Sequence, residues 1–173
     1  DAAYRKTELE HWVKNDSQSF IAHLAGIPLQ FDPGTSWNYS VSTDVLGILV
    51  ERISGQSLGA YFKEHIFDPL GMVDTGFKVP ASEAHRLPEC FAFDPKTKKK
   101  QTDKAGAESL WAQGWNFESG GGGLASTLAD YHRFCRMLLN GGALDGVQIV
   151  SPKTLELMTA NHLPGGGDLT QHS

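Results

Sequence analysis

Ten residues constrain this chain more than any others: Phe31-Asp32-Pro33-Gly34-Thr35-Ser36-Trp37-Asn38-Tyr39-Ser40. Pro33 presets φ for the first central position of a turn, and Gly34 supplies a positive φ for the second. An apolar pattern of helical period begins directly afterwards over residues 43–54, with Val45, Leu46, Leu49, Val50 and Ile53 as a broad stripe. Gly55 follows as a stop. The turn therefore aims an arm carrying Tyr39 at the mouth of a helix.

Around this arm the chain reads as mostly helical. Residues 4–14 (Leu9, Trp12, Val13) and 17–25 (Phe20, Ile21, Leu24) carry apolar side chains at helical spacing. Ser57 is an N-cap for a helix with inner face Leu58, Tyr61, Phe62 and Ile66, ended by Pro69. Strand-like runs follow at Phe77-Lys78-Val79 and Cys90-Phe91-Ala92-Phe93, the second closed by an Asp94-Pro95-Lys96 turn. Residues 101–117 read as a long surface loop, and Gly120 to Gly123 lead into a helix over 127–140. Thr127 with Asp130 resembles a capping box, and Tyr131, Phe134, Cys135, Leu138 and Leu139 are its expected buried face. Asp145-Gly146 marks a tight hairpin, and Ser151-Pro152 an N-cap followed by proline at the first helical position. The segment 165–173 reads as a frayed, disordered tail.

Bulk properties exclude more than they identify. A chain of 173 residues suffices for one domain burying roughly 70% of its unfolded surface. A formal charge of −5 gives no reason to expect nucleic acid or an anionic membrane as partner. The lysines at 96 and 98–100, with Lys104, read as a solvated hairpin tip. No apolar run is long enough to span a membrane. The first residues are not a signal peptide, and the first is not Met, so the natural start can lie upstream; the compartment is left open. Cys90 and Cys135 form neither a disulfide framework nor a metal pattern, and Cys135 reads as a small buried hydrophobe.

Several motifs compete for the chemistry. Gly55-Gln56-Ser57-Leu58-Gly59 matches Gly-x-Ser-x-Gly, but that elbow needs a strand before its serine, and here the preceding residues are helical. Asp74-Thr75-Gly76 matches an aspartic protease triplet, but that chemistry needs two carboxylates, and a turn explains the single copy better. The seven histidines show no zinc spacing. His132 and Cys135 share a helix face, which core packing explains. The glycine run lacks the strand and spacing of a dinucleotide fold.

In order and spacing, a series of pieces from about residue 20 to 164 resembles the β-lactamase-related serine hydrolases, which include class C β-lactamases, D-Ala-D-Ala peptidases and family VIII carboxylesterases. The pieces are the Pro33-Gly34 to Tyr39-Ser40 arm, Val50-Glu51-Arg52-Ile53-Ser54-Gly55, Ile66-Phe67-Asp68-Pro69-Leu70-Gly71-Met72, the glycine segment through Thr127 with Asp130-Tyr131, Leu138 to Gly142, Ser151-Pro152-Lys153-Thr154 and Asn161-His162. The resemblance implies that Tyr39 lies near a nucleophilic Ser and a Lys of a Ser-x-x-Lys motif. The Lys charge favours the phenolate, so that Tyr39 shuttles a proton during acylation and deacylation. It also implies that Gly121 and Gly122 border the substrate cleft, and it implies no metal or organic cofactor. The plainer reading of Tyr39 is a loop tyrosine with a hydrogen-bonded hydroxyl.

Two departures shape the expectation. Val41 stands where class C enzymes carry an amide-binding Asn, which tilts the reading from β-lactams toward esters. The 173 residues contain no Ser-x-x-Lys, and no Lys-Thr-Gly or His-x-Gly near their end. The expected fold class is therefore mainly α with short β-hairpins: the helical subdomain of a serine β-lactamase/penicillin-binding-protein-like fold over residues 1–164, with the flanking α/β domain largely missing. The expected function is that of a fragment of a serine hydrolase acting on a small-molecule ester or amide, inactive alone, with self-association through exposed apolar surface. The rival is a non-catalytic helical module for binding or assembly.

Overall fold

The computed structural model describes residues 15–102, 104–168 and 170. The helix expected over 4–14 lies outside them. Helix α1 (Ser17–Ala25) starts at Asp16, whose carboxylate accepts from the Ser19 N–H while the Ser19 hydroxyl accepts from the Asp16 N–H. Helix α2 (Ser42–Ser54) stops at Gly55, which takes a left-handed φ of 73°. Helix α3 (Leu58–Phe62) is capped by Ser57, whose hydroxyl accepts from the Ala60 N–H at 3.2 Å.

Pro69 does not end this helix. The chain passes through a π turn, Lys63–Phe67, and one more turn, Asp68–Leu70, stopping at Gly71 with φ 64°. Proline removes an N–H and crowds the carbonyl four residues back. The wider π turn placed just before it, with Asp68 N–H bonded to Lys63 O, lets the helix continue.

The run at 77–79 is not a strand. Gly76 makes an isolated two-way bridge with Ala125, and the Val79 N–H goes to Trp111 O at 2.8 Å, while Phe77 is buried. Strand β1 (Phe91–Asp94) pairs antiparallel with β2 (Lys99–Thr102), so the lysines do sit at a hairpin end. The expected loop after it holds a 3-10 turn, Gly106–Glu108, and helix α4 (Leu110–Gln113), capped by Ser109. Helix α5 (Leu128–Leu139) starts at Thr127, whose hydroxyl accepts from the Asp130 N–H. Strands β3 (Ala143–Leu144) and β4 (Val147–Gln148) join through Asp145 and Gly146, both at positive φ, as a primed hairpin turn requires. Ser151 caps α6 (Pro152–Thr159), and Asn161 then holds a 3-10 turn, Pro164–Gly166, by donating to Gly166 and Gly167 carbonyls.

Two apolar clusters hold these pieces. One joins Phe67, Leu70, Met72, Met137 and Leu144. The other stacks Phe20 on Phe117, ring centroids 4.7 Å apart, with Ile48 beside them and Val41 against the cluster. Each fully buried side chain of this size contributes about 1.5–3 kcal/mol. The buried face of α5 differs from that expected, and the broad stripe of α2 is only partly covered. Helix α2 buries Asp44, Gly47 and Ile48 and exposes Leu46, Leu49 and Ile53. Helix α5 buries Asp130 and Met137 and partly buries Phe134 and Leu138; Leu128, Tyr131, Cys135 and Leu139 face solvent. Both helices carry two apolar stripes, and among the described residues only one of each finds a partner. His132 and Cys135 are exposed, so core packing does not explain them. Among the described residues no helix is long and apolar enough to cross a membrane.

Candidate active site

Tyr39 rides on the arm between α1 and α2. The turn forms as its residues dictate: Gly34 has φ 84°, and the Thr35 N–H and hydroxyl both donate to Asp32 O, at 3.1 and 2.7 Å. The Asn38 side-chain amide donates to the Tyr39 carbonyl at 3.3 Å. The Tyr39 ring is 87% exposed, and among the described residues its hydroxyl meets no partner, unlike the hydrogen-bonded loop tyrosine of the plainer reading. The arm ends at Val41, the N-cap residue of α2, half-buried against the Phe20–Ile48–Phe117 cluster.

Val41 offers no side-chain cap to the helix. The acid in the first turn is Asp44, only 5% exposed. The buried Ser119 hydroxyl donates to Asp44 Oδ1, and the Gly121 N–H donates to the same oxygen at 3.4 Å and to Ser119 Oγ at 3.1 Å. A charge-assisted pair of donors thus ties the glycine segment to the start of α2. Gly120 makes the contact sterically feasible: a Cβ there would lie 2.1 Å from Thr43 O, a backbone atom. A Cβ on Gly121 would meet Thr43 Oγ1 at 2.9 Å, and Gly47 faces Gly120 from the helix side. In this segment only Gly123 has a positive φ, 89°; Gly120, Gly121 and Gly122 do not.

Of the four residues expected from sequence, Gly121 meets the first turn of α2 at Thr43 and Asp44, and Val41 is the N-cap residue of that helix; Tyr39 and Gly122 are their chain neighbours. Asp44, Ser119 and Gly120 were missed. An acid three residues into a helix reads as an ordinary helix-dipole residue, and nothing local marks its partner 75 positions on.

A cleft of about 520 Å³ lies elsewhere, walled by Phe67, Phe77, Asp74, Arg86 and Glu118. None of Tyr39, Val41, Gly121 or Gly122 lines it. Arg86 grips Asp74 with two bonds of 2.8 Å and holds its carboxyl below the ordinary aspartate range. Asp130 accepts from the Asp74 N–H and the Thr75 hydroxyl, at 2.7 and 2.9 Å. The Asp-Thr-Gly triplet is therefore a pinned turn, and Ser57 is an N-cap with no strand before it. Among the described residues no group of three or more His, Cys, Asp or Glu is placed to hold a metal.

Residues 2–168 match the family model described as Beta-lactamase. An uncharacterized protein of Mycobacterium tuberculosis is 38% identical over 144 residues, 83% of this chain and 35% of that protein. Lovastatin esterase of Penicillium rubens is 32% identical over 153 residues, 87% of this chain and 37% of the esterase. The fold is shared with EstCE1, described as a hydrolase with promiscuous acyltransferase activity, at TM-score 0.71 and 21% identity, over 97% of this chain and 51% of EstCE1. The chain spans about a third of the length of the curated relatives it matches. Over residues 2–168, this chain belongs to the beta-lactamase family.

Proposed function

We propose that this chain is the helical part, residues 1–164, of a serine hydrolase that transfers an acyl group from a small-molecule ester to water through an acyl-serine intermediate. The observation that carries the reading is Tyr39: an exposed phenol whose hydroxyl meets no partner among the described residues, presented by a Pro-Gly arm that leads into the helix on which the glycine segment is seated. Tyr39 is the general base that takes the proton of the nucleophilic serine, and the general acid that returns it to the leaving alcohol. In the second half-reaction it activates water. The nucleophile and its lysine come from outside these residues, which contain no Ser-x-x-Lys. Esters are favoured over β-lactams because Val41 lacks an amide and spends its side chain on packing. The likeness to an esterase points the same way. Gly121 and Gly122 form a low cleft wall. No cofactor takes part. The exposed stripes of α2 and α5 are the surfaces that a neighbouring domain, or a second copy, would cover.

The test compares this chain with the full-length gene product, using a p-nitrophenyl ester and a fluorophosphonate label read by mass spectrometry. The reading expects turnover and a labelled Ser-x-x-Lys serine in the full-length protein, and neither in the 173-residue chain. A label on Ser57, with turnover abolished in Ser57→Ala, would instead place the nucleophile within this chain. No label in either protein would favour a non-catalytic helical module.

A further inference from the structure

We propose that Asp44 is a positioning residue for this reaction: its buried carboxylate fastens the glycine segment, residues 119–123, to the turn from which the Tyr39 arm departs. The proposal rests on the reading of Tyr39 as the proton shuttle.

A carboxylate 5% exposed is a costly component. An apolar side chain of similar volume would generally pack there at no loss, so a polar acceptor at this position points to a role in fixing geometry. The geometry supplies it. Asp44 faces the Ser119 hydroxyl and the Gly121 N–H, which belong to chain 75 and 77 residues away. Ser119, itself 3% exposed, also accepts from the Gly121 N–H and so closes a three-membered clasp. Two glycines, Gly47 and Gly120, let the backbones approach closely enough for the clasp to form. On the helix side the clasp sits three residues from Val41, the N-cap residue, and five from Tyr39. On the loop side it sits at Gly121, next to Gly122. The glycine wall is therefore bonded, through Asp44, to the first turn of the helix into which the Tyr39 arm leads.

An apolar residue at 44 could fill the same volume, but it could not fix the direction of the Gly121 N–H. Displacements of about 1 Å at a reacting centre can cost on the order of 100-fold in rate. Releasing the clasp should therefore lower kcat more than it raises KM, because substrate contacts remain while their alignment with the phenol is lost. Asn at 44 keeps an acceptor oxygen for the two donors and should restore most of the rate.

The experiment uses the full-length gene product with p-nitrophenyl acetate, and hydrogen exchange followed by mass spectrometry. Asp44→Ala is expected to lower kcat roughly 10- to 100-fold with KM changed less than about threefold. Amide exchange over residues 119–123 should accelerate while α5 keeps its protection. Asp44→Asn should recover kcat to within a few-fold of the wild type. Should Asp44→Ala fail to fold, Ser119→Ala removes one donor of the clasp and should still lower kcat several-fold. Tyr39→Phe, run in parallel, separates the two claims. If Tyr39→Phe is inactive while folded Asp44→Ala, or Ser119→Ala in its place, turns over normally, the positioning role is wrong and the acid–base reading stands. If Tyr39→Phe turns over normally, both fall. Unchanged exchange at 119–123 in Asp44→Ala also overturns the proposal.

Discussion

Gly120→Ala measures how tightly the glycine segment is seated on α2. The new Cβ would stand 2.1 Å from Thr43 O, 3.0 Å from Thr43 C and 3.2 Å from Gly47 N. All three are backbone atoms inside or beside a helix turn, so none can rotate away. Carbon and oxygen rest at about 3.3 Å or more, so the segment must retreat by roughly 1 Å. Overpacking of this kind costs about 1–3 kcal/mol. The retreat also stretches the Ser119 and Gly121 donors off the buried Asp44 carboxylate, which adds about 1–3 kcal/mol for a group left short of partners. A total of about 2–6 kcal/mol is a large part of the roughly 5–15 kcal/mol that holds a domain together. The assay is urea unfolding followed by far-UV circular dichroism and read by linear extrapolation. Two controls fix the scale. Gly121→Ala meets side-chain atoms only, the Thr43 hydroxyl at 2.9 Å and the Asp44 carboxylate at 3.3 Å, and should cost less than Gly120→Ala. Gly26→Ala, at φ −80° with only an ordinary 3.5 Å contact, should be within about 0.5 kcal/mol of wild type. If Gly120→Ala unfolds at the same midpoint as Gly26→Ala, the segment is not seated as described.

Two further outcomes follow from the fold. Met137→Ala empties the Phe67–Leu70–Met72–Leu144 cluster and should cost about 2–5 kcal/mol, whereas Leu139→Ala, 85% exposed, should stay within about 0.5 kcal/mol when both are unfolded in urea; equal losses would mean the buried face of α5 is misassigned. The Arg86 guanidinium lowers the Asp74 pKa, so the pair stabilises the fold fully above the ordinary aspartate value of about 3.8 and loses that contribution as pH falls through the depressed value. Thermal unfolding of wild type and Arg86→Leu should therefore differ near neutrality and converge between about pH 5 and about pH 2; a gap that widens with acid would contradict the pairing.

What was legible in the sequence was what is decided within a few residues. The Pro33-Gly34 turn, the caps at Ser57, Thr127 and Ser151 and the Asp145-Gly146 hairpin each need only their own side chains and φ angles, and each is present. The buried face of α5 is not legible because its apolar residues fall in two stripes, and periodicity alone does not say which stripe finds a partner. Cys135 went with the wrong stripe. Pro69 was read as a stop because a π turn leaves no local mark. The Asp44–Ser119 clasp was invisible for a different reason: it joins residues 75 apart, and each alone has an ordinary local role. The turn that presents Tyr39 is local and therefore legible; what surrounds its hydroxyl is not.

The most direct measurement is the pre-steady-state acylation rate of Tyr39→Phe in the full-length gene product, with a p-nitrophenyl ester as substrate and the nitrophenol burst as signal. The substitution removes one hydroxyl from a ring that is 87% exposed, so folding and substrate affinity should hardly change. The account predicts a burst slowed by roughly 10²–10⁴, the span for loss of a general acid–base group. A burst at the wild-type rate would contradict it and return Tyr39 to an ordinary place on an exposed arm.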